Sequence, residues 1–171
     1  AMLADQGAEV FKIEPPGIGD VMRYIGPTRN GVSALFHSVN RGKRSLALDL
    51  KTAEGREVVQ RLAAHTDVLI HNFRPGVAER LGLGPADCHA INPGLVYGRM
   101  TGFGQSGPLS QRPSYDQVIQ GFSGLMSVTG DEQSAPLRAG FVVCELVREL
   151  ASIARSRWRP WRGGFALRLP E

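Results

Sequence analysis

Short apolar runs alternate with segments of helical period along most of this chain, and this alternation is the strongest constraint on its fold. Strands that alternate with helices at short spacing are typical of βαβ units and a parallel sheet. The strands are nearly continuous apolar runs, as expected where helices cover both faces of a sheet. The chain is therefore predicted to be an α/β protein with a Rossmann-like parallel sheet and flanking helices. The predicted strands are Ala8–Ile13, Ser45–Leu50, Asp67–Phe73 and Leu95–Thr101.

Helices are predicted wherever apolar residues recur with a period near 3.6. Residues 1–8 have the pattern of a helix end that closes at Gly7, and Thr52 is a suitable N-cap for the helix that follows it. Residues 17–34 hold five glycines or prolines and are predicted to be a loop. The other predicted helices are Thr52–His65, Gly76–Leu81, Pro85–Ile91, Tyr115–Val128 and Val142–Ile153.

The two ends of the chain depart from this pattern. An α/β nucleotide-binding fold normally opens with a strand, whereas this sequence begins inside its first predicted helix. Ser156–Glu171 carries both tryptophans beside arginine, glycine and proline, and it shows neither the helical nor the strand period. We therefore expect a partial large domain over residues 1–154, a divergent and poorly ordered tail over 155–171, and a fold that is incomplete at both ends.

The charge of the chain does not indicate nucleic-acid binding. The formal net charge is +4 and the sequence pI is about 9.5, but the last 24 residues, from Arg148, hold six arginines. Without them the chain is close to neutral. A nucleic-acid interface would need a basic face on a folded element, so we expect no nucleic-acid partner.

Composition also argues against several kinds of site. The sequence contains no run of 18 or more apolar residues, so no membrane span or membrane partner is predicted. Cys88 and Cys144 are far apart and the four histidines are scattered, which matches neither a metal site nor a disulfide framework. We expect no bound metal, no cofactor, and a reducing cytoplasm as the setting.

Standard nucleotide and hydrolase motifs do not occur in the sequence, which contains no G-x-G-x-x-G, no G-x-x-x-x-G-K-[ST] and no G-x-S-x-G. A dinucleotide fingerprint, a P-loop and a nucleophile elbow are therefore not indicated. Six other segments, spread in order over roughly residues 3–150, carry a stronger signal. They are Gly7–Pro16 (GAEVFKIEPP), Asn40–Lys51 (NRGKRSLALDLK), His71–Gly76 (HNFRPG), Gly102–Pro108 (GFGQSGP), Tyr115–Asp116 and Ser123–Gly130.

Together these six segments resemble the N-terminal part of the family III CoA-transferases. The resemblance implies that residues 1–154 belong to a CoA-binding domain and that coenzyme A is a substrate, exchanged between an acyl-CoA and a carboxylic acid. It also implies that the parent enzyme is an intertwined homodimer.

The resemblance implies a set of CoA contacts. Phosphate groups are bound by lysine, arginine and backbone donors, and such crevices form at the carboxyl ends of parallel strands. In the family the segment that corresponds to Leu48–Lys51 lines the adenine site, and the Asn-Phe-Arg turn after the following strand binds the pantetheine and phosphate region. The implied contacts are Leu48, Asp49, Leu50, Lys51, Asn72, Phe73, Arg74, Arg80, Arg112 and Tyr115.

Four of the implied contacts also have a plain structural alternative. Lys51 could be a solvated residue before a helix, and Arg74 could be an exposed turn residue. Arg80 could pair with Glu79 or Glu54 on the surface. Tyr115 could pack in a core.

A reactive carboxylate is the catalytic group that the resemblance implies. In the family it is an aspartate five positions after a glycine, and here the fifth position after Gly140 is Glu145. Glutamate keeps the carboxylate but adds one methylene, and a displacement of ~1 Å can cost on the order of 100-fold in rate. Glu145 is the predicted nucleophile, with an ordinary helix glutamate as the alternative.

Two other functions remain open. The same fold hosts 2-methylacyl-CoA racemases, which carry a histidine where this chain has Tyr115, and an unperturbed tyrosine pKa of about 10 suits proton shuttling at neutral pH poorly. We therefore expect a transferase rather than a racemase. The remaining alternative is an inactive fragment that at most binds CoA.

Overall fold

The computed structural model describes residues 1–144 and Val147. Among the described residues the chain divides into two compact units, one formed by Ala1–Asp67 and the other beginning at Val68. The predicted tail 155–171 and most of the predicted helix Val142–Ile153 lie outside the described residues.

The first unit is built on one parallel strand pair. The elements of this unit in chain order are α1 (Met2–Asp5), β1 (Val10–Glu14), a 3₁₀ helix (Val21–Tyr24), β2 (Thr28–Arg29), β3 (Val32–Ser33), α2 (Ala34–Asn40), β4 (Lys43–Ala47) and α3 (Ala53–Ala63). Strand β1 pairs in parallel with β4, from Val10 opposite Lys43 to Glu14 opposite Ala47.

Helix α3 confirms its sequence prediction, including the cap. The Thr52 hydroxyl accepts a hydrogen bond from the Gly55 amide at 3.0 Å, which satisfies one of the donors left free at a helix start. Val59 and Ala63, one turn apart, are buried on the same face.

The predicted loop over residues 17–34 is wrong in part, because the segment holds a 3₁₀ helix and the β2–β3 hairpin. Asp20 caps the 3₁₀ helix by accepting from the Met22 amide at 2.8 Å. The hairpin turns at Asn30 and Gly31, both with positive φ, as a two-residue Asn-Gly turn requires. Ser33 then caps α2, which the sequence prediction missed, by accepting from the Phe36 amide at 3.3 Å.

The second unit contains a second parallel pair. The described elements of this unit are β5 (Val68–His71), α4 (Val77–Arg80), α5 (Pro85–Ile91), β6 (Val96–Arg99), α6 (Asp116–Phe122) and a 3₁₀ helix (Leu125–Val128). Strand β5 pairs in parallel with β6, from Val68 opposite Val96 to His71 opposite Arg99. Ala78, Leu83, Cys88 and Leu95 form the buried core of this unit.

The single long helix predicted over Tyr115–Val128 is wrong. α6 ends at Phe122, and Gly124 adopts a left-handed conformation with φ of +79° before the 3₁₀ helix begins. A glycine in this conformation commonly terminates helices, because it carries no Cβ to clash with the backbone. The apolar period continues through Gly124, so the period alone did not reveal the break.

Strand pairing confirms the α/β class, since β1–β4 and β5–β6 are both parallel and helices follow the strands in both units. None of the helices in the described part of the chain is both long enough and apolar enough to cross a membrane.

A buried carboxylate fixes the carboxyl end of β1. Glu14 is only 3% exposed and accepts hydrogen bonds from Arg23 Nε at 2.9 Å and Nη2 at 2.8 Å. It also accepts from the Ser45 hydroxyl at 2.7 Å and the Asp20 amide at 2.8 Å. The hydrogen bonds from Arg23 lower the pKa of Glu14 from its ordinary 4.5 to about 2, against the opposing effect of burial.

We expect Glu14→Gln to lower the free energy of unfolding by about 2 kcal/mol at neutral pH, because the charge-assisted bonds to Arg23 are lost. Since the folded-state pKa is depressed, this stabilisation is present above the unfolded value of 4.5 and is lost as pH falls from there towards about 2. Urea denaturation of the wild type and the variant across this range measures the difference.

Glu9→Gln is the matched control, because Glu9 pairs with Arg44 at 2.7 Å on the surface, where the carboxylate side chain is 60% exposed. An exposed pair contributes about 0–1 kcal/mol. Equal losses of stability in the two variants would contradict the role given to Glu14.

Candidate functional site

The segment after β4 forms a tight turn that leads into α3. The Asp49 carboxylate accepts from the Lys51 amide at 2.9 Å, and the Thr52 hydroxyl donates to the Asp49 carbonyl at 3.0 Å. Gly55 lies so close that a Cβ on it would be 2.1 Å from the Asp49 carbonyl oxygen. The turn is therefore fixed by hydrogen bonds that link the Asp49 and Thr52 side chains to its backbone, while the residues Asp49 and Lys51 are exposed to solvent.

Arg56 reinforces this turn from the first turns of α3. Its Nη1 donates to the Leu50 carbonyl at 3.3 Å and to the Lys51 carbonyl at 2.8 Å. Leu48 joins the turn to the strands, because its amide donates to the Glu14 carbonyl at 2.9 Å. The four predicted contacts Leu48, Asp49, Leu50 and Lys51 thus occupy one rigid connection.

The segment after β5 forms a second turn, and it contains three predicted contacts. The Phe73 amide donates to His71 Nδ1 at 3.1 Å, and the two rings stack with centroids 5.1 Å apart. Asn72 and Arg74 are exposed on either side of the half-buried Phe73. Asn72, Phe73 and Arg74 therefore lie in the turn that directly follows the parallel strand β5.

Helix α4 begins directly after this turn and carries Arg80. The Val77 amide donates to the Arg74 carbonyl at 3.1 Å, and Gly76 has a φ of +82° at the helix start. A Cβ on Gly76 would be 3.3 Å from the Arg80 guanidinium, so Arg80 extends back along the helix towards the turn. Glu79 contacts Arg99 at 3.1 Å.

A chain of hydrogen bonds behind the turn was not predicted from the sequence. Since His71 Nδ1 accepts from Phe73, the proton of the neutral ring lies on Nε2, which is 3.0 Å from the Tyr97 hydroxyl. The Tyr97 hydroxyl in turn donates to the Leu83 carbonyl. Burial, with a smaller effect of Arg99, lowers the pKa of His71 below its ordinary 6.5, and burial raises the pKa of Tyr97 to about 12. Both side chains are therefore uncharged at neutral pH, and they hold the turn through hydrogen bonds.

Arg112 and Tyr115 lie in the segment that leads into α6. The Arg112 amide donates to the Leu109 carbonyl at 2.9 Å, and its side chain is exposed. Tyr115 is 74% exposed at the N-cap of α6. The alternative of a core tyrosine is therefore wrong for Tyr115.

Two polar residues on the buried face of α6 also escaped sequence reasoning. Asp116 is 4% exposed and Gln120 is 1% exposed. Gln120 Oε1 accepts from the Ala139 amide at 2.8 Å, and its Nε2 donates to the Phe141 carbonyl at 3.3 Å and to the Asp116 carboxylate. The i, i+4 spacing of two polar residues on an otherwise apolar helix face was the available signal.

Glu145, the predicted nucleophile, lies outside the described residues. Leu48–Lys51 belong to the first unit, and the other predicted CoA contacts belong to the second.

A cavity of about 360 Å³ opens in the first unit, but none of the predicted CoA contacts lines it. Its charged groups, Glu14 and Arg23, are paired with each other at 2.8 Å. Within residues 1–144, no group of three or more histidine, cysteine, aspartate or glutamate side chains is arranged to hold a metal ion.

Comparison with known proteins shows which family this chain resembles. Residues 1–153 match the sequence model of CoA-transferase family III. The chain belongs to this family. It is 41% identical over 160 residues to the succinate–glutarate CoA-transferase of Agrobacterium fabrum, covering 90% of this chain and 40% of that protein. It is also 43% identical over 149 residues to the human succinyl-CoA:glutarate CoA-transferase, covering 86% of this chain and 34% of that one.

A solved structure agrees with the family assignment. The crystal structure of a CAIB/BAIF family protein from Brucella suis is 42% identical and superposes with a TM-score of 0.86, over 91% of this chain and 42% of that one. This CoA-transferase family III chain therefore spans about one third to two fifths of the length of these relatives, and it shares the fold of the Brucella suis protein over that part.

We expect His71 to make the stability of the second unit depend on pH. Because the folded-state pKa is lowered, the unfolded chain takes up a proton that the folded chain excludes, so stability falls as pH drops through the unfolded value of 6.5. His71→Asn should lose less stability than the wild type between about pH 7.5 and about pH 5.5. Urea denaturation at the two pH values measures this.

His65→Asn is the control, because His65 is an exposed histidine that shortly precedes the second unit. It should follow the wild type. Parallel pH profiles for His71→Asn and the wild type would contradict the assignment of a buried neutral His71.

Proposed function

We propose that the protein carrying this chain is a CoA-transferase that moves coenzyme A between an acyl-CoA and an acceptor carboxylic acid. The match of residues 1–153 to CoA-transferase family III carries the proposal. Relatives in Acetobacter aceti and Chloroflexus aurantiacus, named as an acetyl-CoA:oxalate CoA-transferase and a succinyl-CoA–D-citramalate CoA-transferase, are 45% and 42% identical over the aligned part. Both names state a transfer of CoA to a carboxylic acid.

The predicted contacts include cations suited to binding CoA. The phosphates of CoA need cations, and the predicted contacts Lys51, Arg74, Arg80 and Arg112 are exposed cationic side chains. Lys51 follows β4 and Arg74 follows β5, so each extends from a backbone turn that hydrogen bonds already hold. A preformed turn lowers the entropy cost of binding, because the side chains but not the backbone must then be ordered.

The proposed chemistry uses the Glu145 carboxylate as a nucleophile. Its oxygen attacks the thioester carbonyl, and the C–S bond breaks. The CoA thiolate departs, and a mixed anhydride of Glu145 and the acyl group remains. The thiolate then attacks the Glu145 carbonyl, releasing the acyl group as a carboxylate and leaving a Glu145–CoA thioester. The acceptor carboxylate repeats these two steps in reverse order, which divides one hard exchange into easier ones.

The transferase is favoured over the racemase alternative by two observations. Tyr115 stands where racemases carry a histidine, and the relatives reported above are named CoA-transferases. We also propose, from the family resemblance, that the whole protein is an intertwined homodimer of the cytoplasm, and that residues 1–154 form part of its CoA-binding domain with 155–171 as a divergent tail.

Incubation with an acyl-CoA should leave a covalent CoA adduct on Glu145, because the thioester intermediate is a stable covalent species until an acceptor acid arrives. Mass spectrometry of the intact chain and of its peptides detects and places the adduct. Glu145→Gln should abolish it, since the amide is not a nucleophile at neutral pH.

Glu145→Asp restores the residue that the family resemblance implies and should retain the adduct. An adduct that persists in Glu145→Gln would remove Glu145 from the mechanism. A folded wild-type chain that binds CoA without any adduct would support the alternative of an inactive CoA-binding fragment.

Arg74→Ala should weaken CoA binding by about 10-fold, because a charge-assisted hydrogen bond contributes about 1.5–3 kcal/mol and part of this is replaced by solvent. Titration calorimetry with free CoA measures the affinity. Arg61→Ala is the matched control, since Arg61 is an arginine of α3 that is 77% exposed and paired with Glu57. Equal affinity in Arg74→Ala and Arg61→Ala would contradict the placement of Arg74 at the phosphates.

A further inference from the structure

The imidazole of His71 holds the middle of the turn that follows β5. The two ends of this turn are held by backbone bonds, from the Met100 amide to the His71 carbonyl at 2.9 Å and from the Val77 amide to the Arg74 carbonyl at 3.1 Å. Between them, the Phe73 amide donates to His71 Nδ1 at 3.1 Å. A side-chain acceptor thus satisfies a backbone donor two residues further on, as asparagine and aspartate side chains do in Asx turns.

Tyr97 determines which ring nitrogen of His71 can accept. The Tyr97 hydroxyl donates its one proton to the Leu83 carbonyl, so its oxygen can only accept from His71 Nε2, which is 3.0 Å away. Nε2 therefore carries the proton of the neutral ring, which leaves Nδ1 as the acceptor for the Phe73 amide. A second proton has to bind at Nδ1, where it faces the Phe73 N–H as a second donor. Protonation therefore breaks the bond to the turn and leaves the bond to Tyr97 intact.

The groups that act on the charge of His71 come from β6 and α4. Burial is the main cause that lowers the pKa of His71 below its ordinary 6.5. Arg99, which lies opposite His71 in β6, lowers this pKa further, whereas Glu79 in α4 raises it. Tyr97 adds no charge at neutral pH, because burial raises its pKa to about 12. The ring is therefore neutral at neutral pH, and it takes up its second proton mainly below pH 6.5.

We propose that His71 is a pH-sensitive positioning residue for CoA binding, since its neutral imidazole holds the turn in place and its protonation releases the Phe73 amide and lowers the affinity for CoA. The inference rests on the proposed function, because Asn72, Phe73 and Arg74 are proposed CoA contacts. His71 is not one of these contacts and acts on them through the backbone of the turn. A turn that the ligand must first order costs more entropy on binding than a preformed turn. Loss of the Phe73 bond therefore weakens binding although every contact group is still present.

Two substitutions at His71 separate the acceptor from the charge. The side-chain oxygen of asparagine accepts from the amide two residues further on and does not titrate in this pH range, so His71→Asn keeps the bond at every pH. Phenylalanine keeps an aromatic ring beside Phe73 but has no acceptor, so His71→Phe lacks the bond at every pH. His71→Leu replaces His71→Phe if that variant does not fold. His65→Asn is the matched control, because His65 is an exposed histidine outside the turn.

Titration calorimetry with free CoA at about pH 7.5 and about pH 5 measures the effect on binding. Both values lie above 4.5, the ordinary pKa of Glu14, so its stabilising charge is retained. A phosphate monoester has a second pKa of about 6, so the 3′-phosphate of CoA also titrates between these values. Comparison with His71→Asn at the same pH cancels this change in the ligand.

The affinity should fall as pH drops through the folded-state pKa of His71, because the protonated ring no longer holds the turn. Relative to His71→Asn, the wild type should bind CoA within about twofold at about pH 7.5 and about 3- to 10-fold more weakly at about pH 5. His71→Phe should bind about 3- to 10-fold more weakly than His71→Asn at both values. His65→Asn should follow the wild type.

Hydrogen exchange at the Phe73 amide, measured by NMR without CoA, tests the hydrogen bond on its own. After division by the intrinsic rate at each pH, exchange in the wild type should be about 5- to 10-fold faster at about pH 5 than at about pH 7.5. In His71→Asn the corrected rate should stay the same at both values.

Parallel affinity profiles for the wild type and His71→Asn would overturn the proposal. A relative affinity that rises as pH falls would also overturn it, since the imidazolium would then attract the phosphates directly. Equal binding by His71→Phe and His71→Asn, or a departure of His65→Asn from the wild type as large as that of His71→Asn, would count against it in the same way. A wild-type chain that binds no CoA at either pH would instead reject the proposed function and with it the effect on affinity, while exchange at Phe73 still decides whether His71 holds the turn.

Discussion

The first unit depends on one buried charge, the carboxylate of Glu14. A buried carboxylate is tolerated only when it is paired and its oxygens are satisfied by donors. Here Arg23, Ser45 and the Asp20 amide supply these donors, which ties the end of β1 to the neighbouring strand and to the segment that follows. The Arg23 guanidinium also lies 4.1 Å from the ring centre of Phe36, so the same interaction extends to α2.

The second unit uses the same principle with neutral groups. His71 holds the turn after β5 through the Phe73 amide, and Gln120 holds the segment around Gly140. In each case a half-buried or buried side chain satisfies backbone groups that no strand reaches. Exposed residues such as Arg74 can then bind a ligand from a backbone that is already fixed, which is the arrangement that the proposed CoA site requires.

Sequence patterns predicted most of the regular elements, but they missed α2 and the points where one residue changes the backbone direction. The strand β5 and the helix α5 lie within their predicted ranges, because several apolar residues contribute to each pattern. The hairpin at Asn30 and Gly31 was missed although Asn-Gly is a known turn signal. The end of α6 was missed because Gly124 leaves the apolar period intact while its positive φ ends the helix.

The sequence by itself determined the α/β class, the family and the positions at which cations follow the strands, since these depend on local order along the chain. Only the tertiary structure decided that Tyr115 is exposed, that His71 supports the turn from behind, and that Gln120 reaches Ala139 and Phe141. Gln120 contacts residues that are 19 and 21 positions away, and His71 contacts Tyr97, which is 26 positions away. Burial and long-range hydrogen bonding depend on how elements pack, and no local pattern records them.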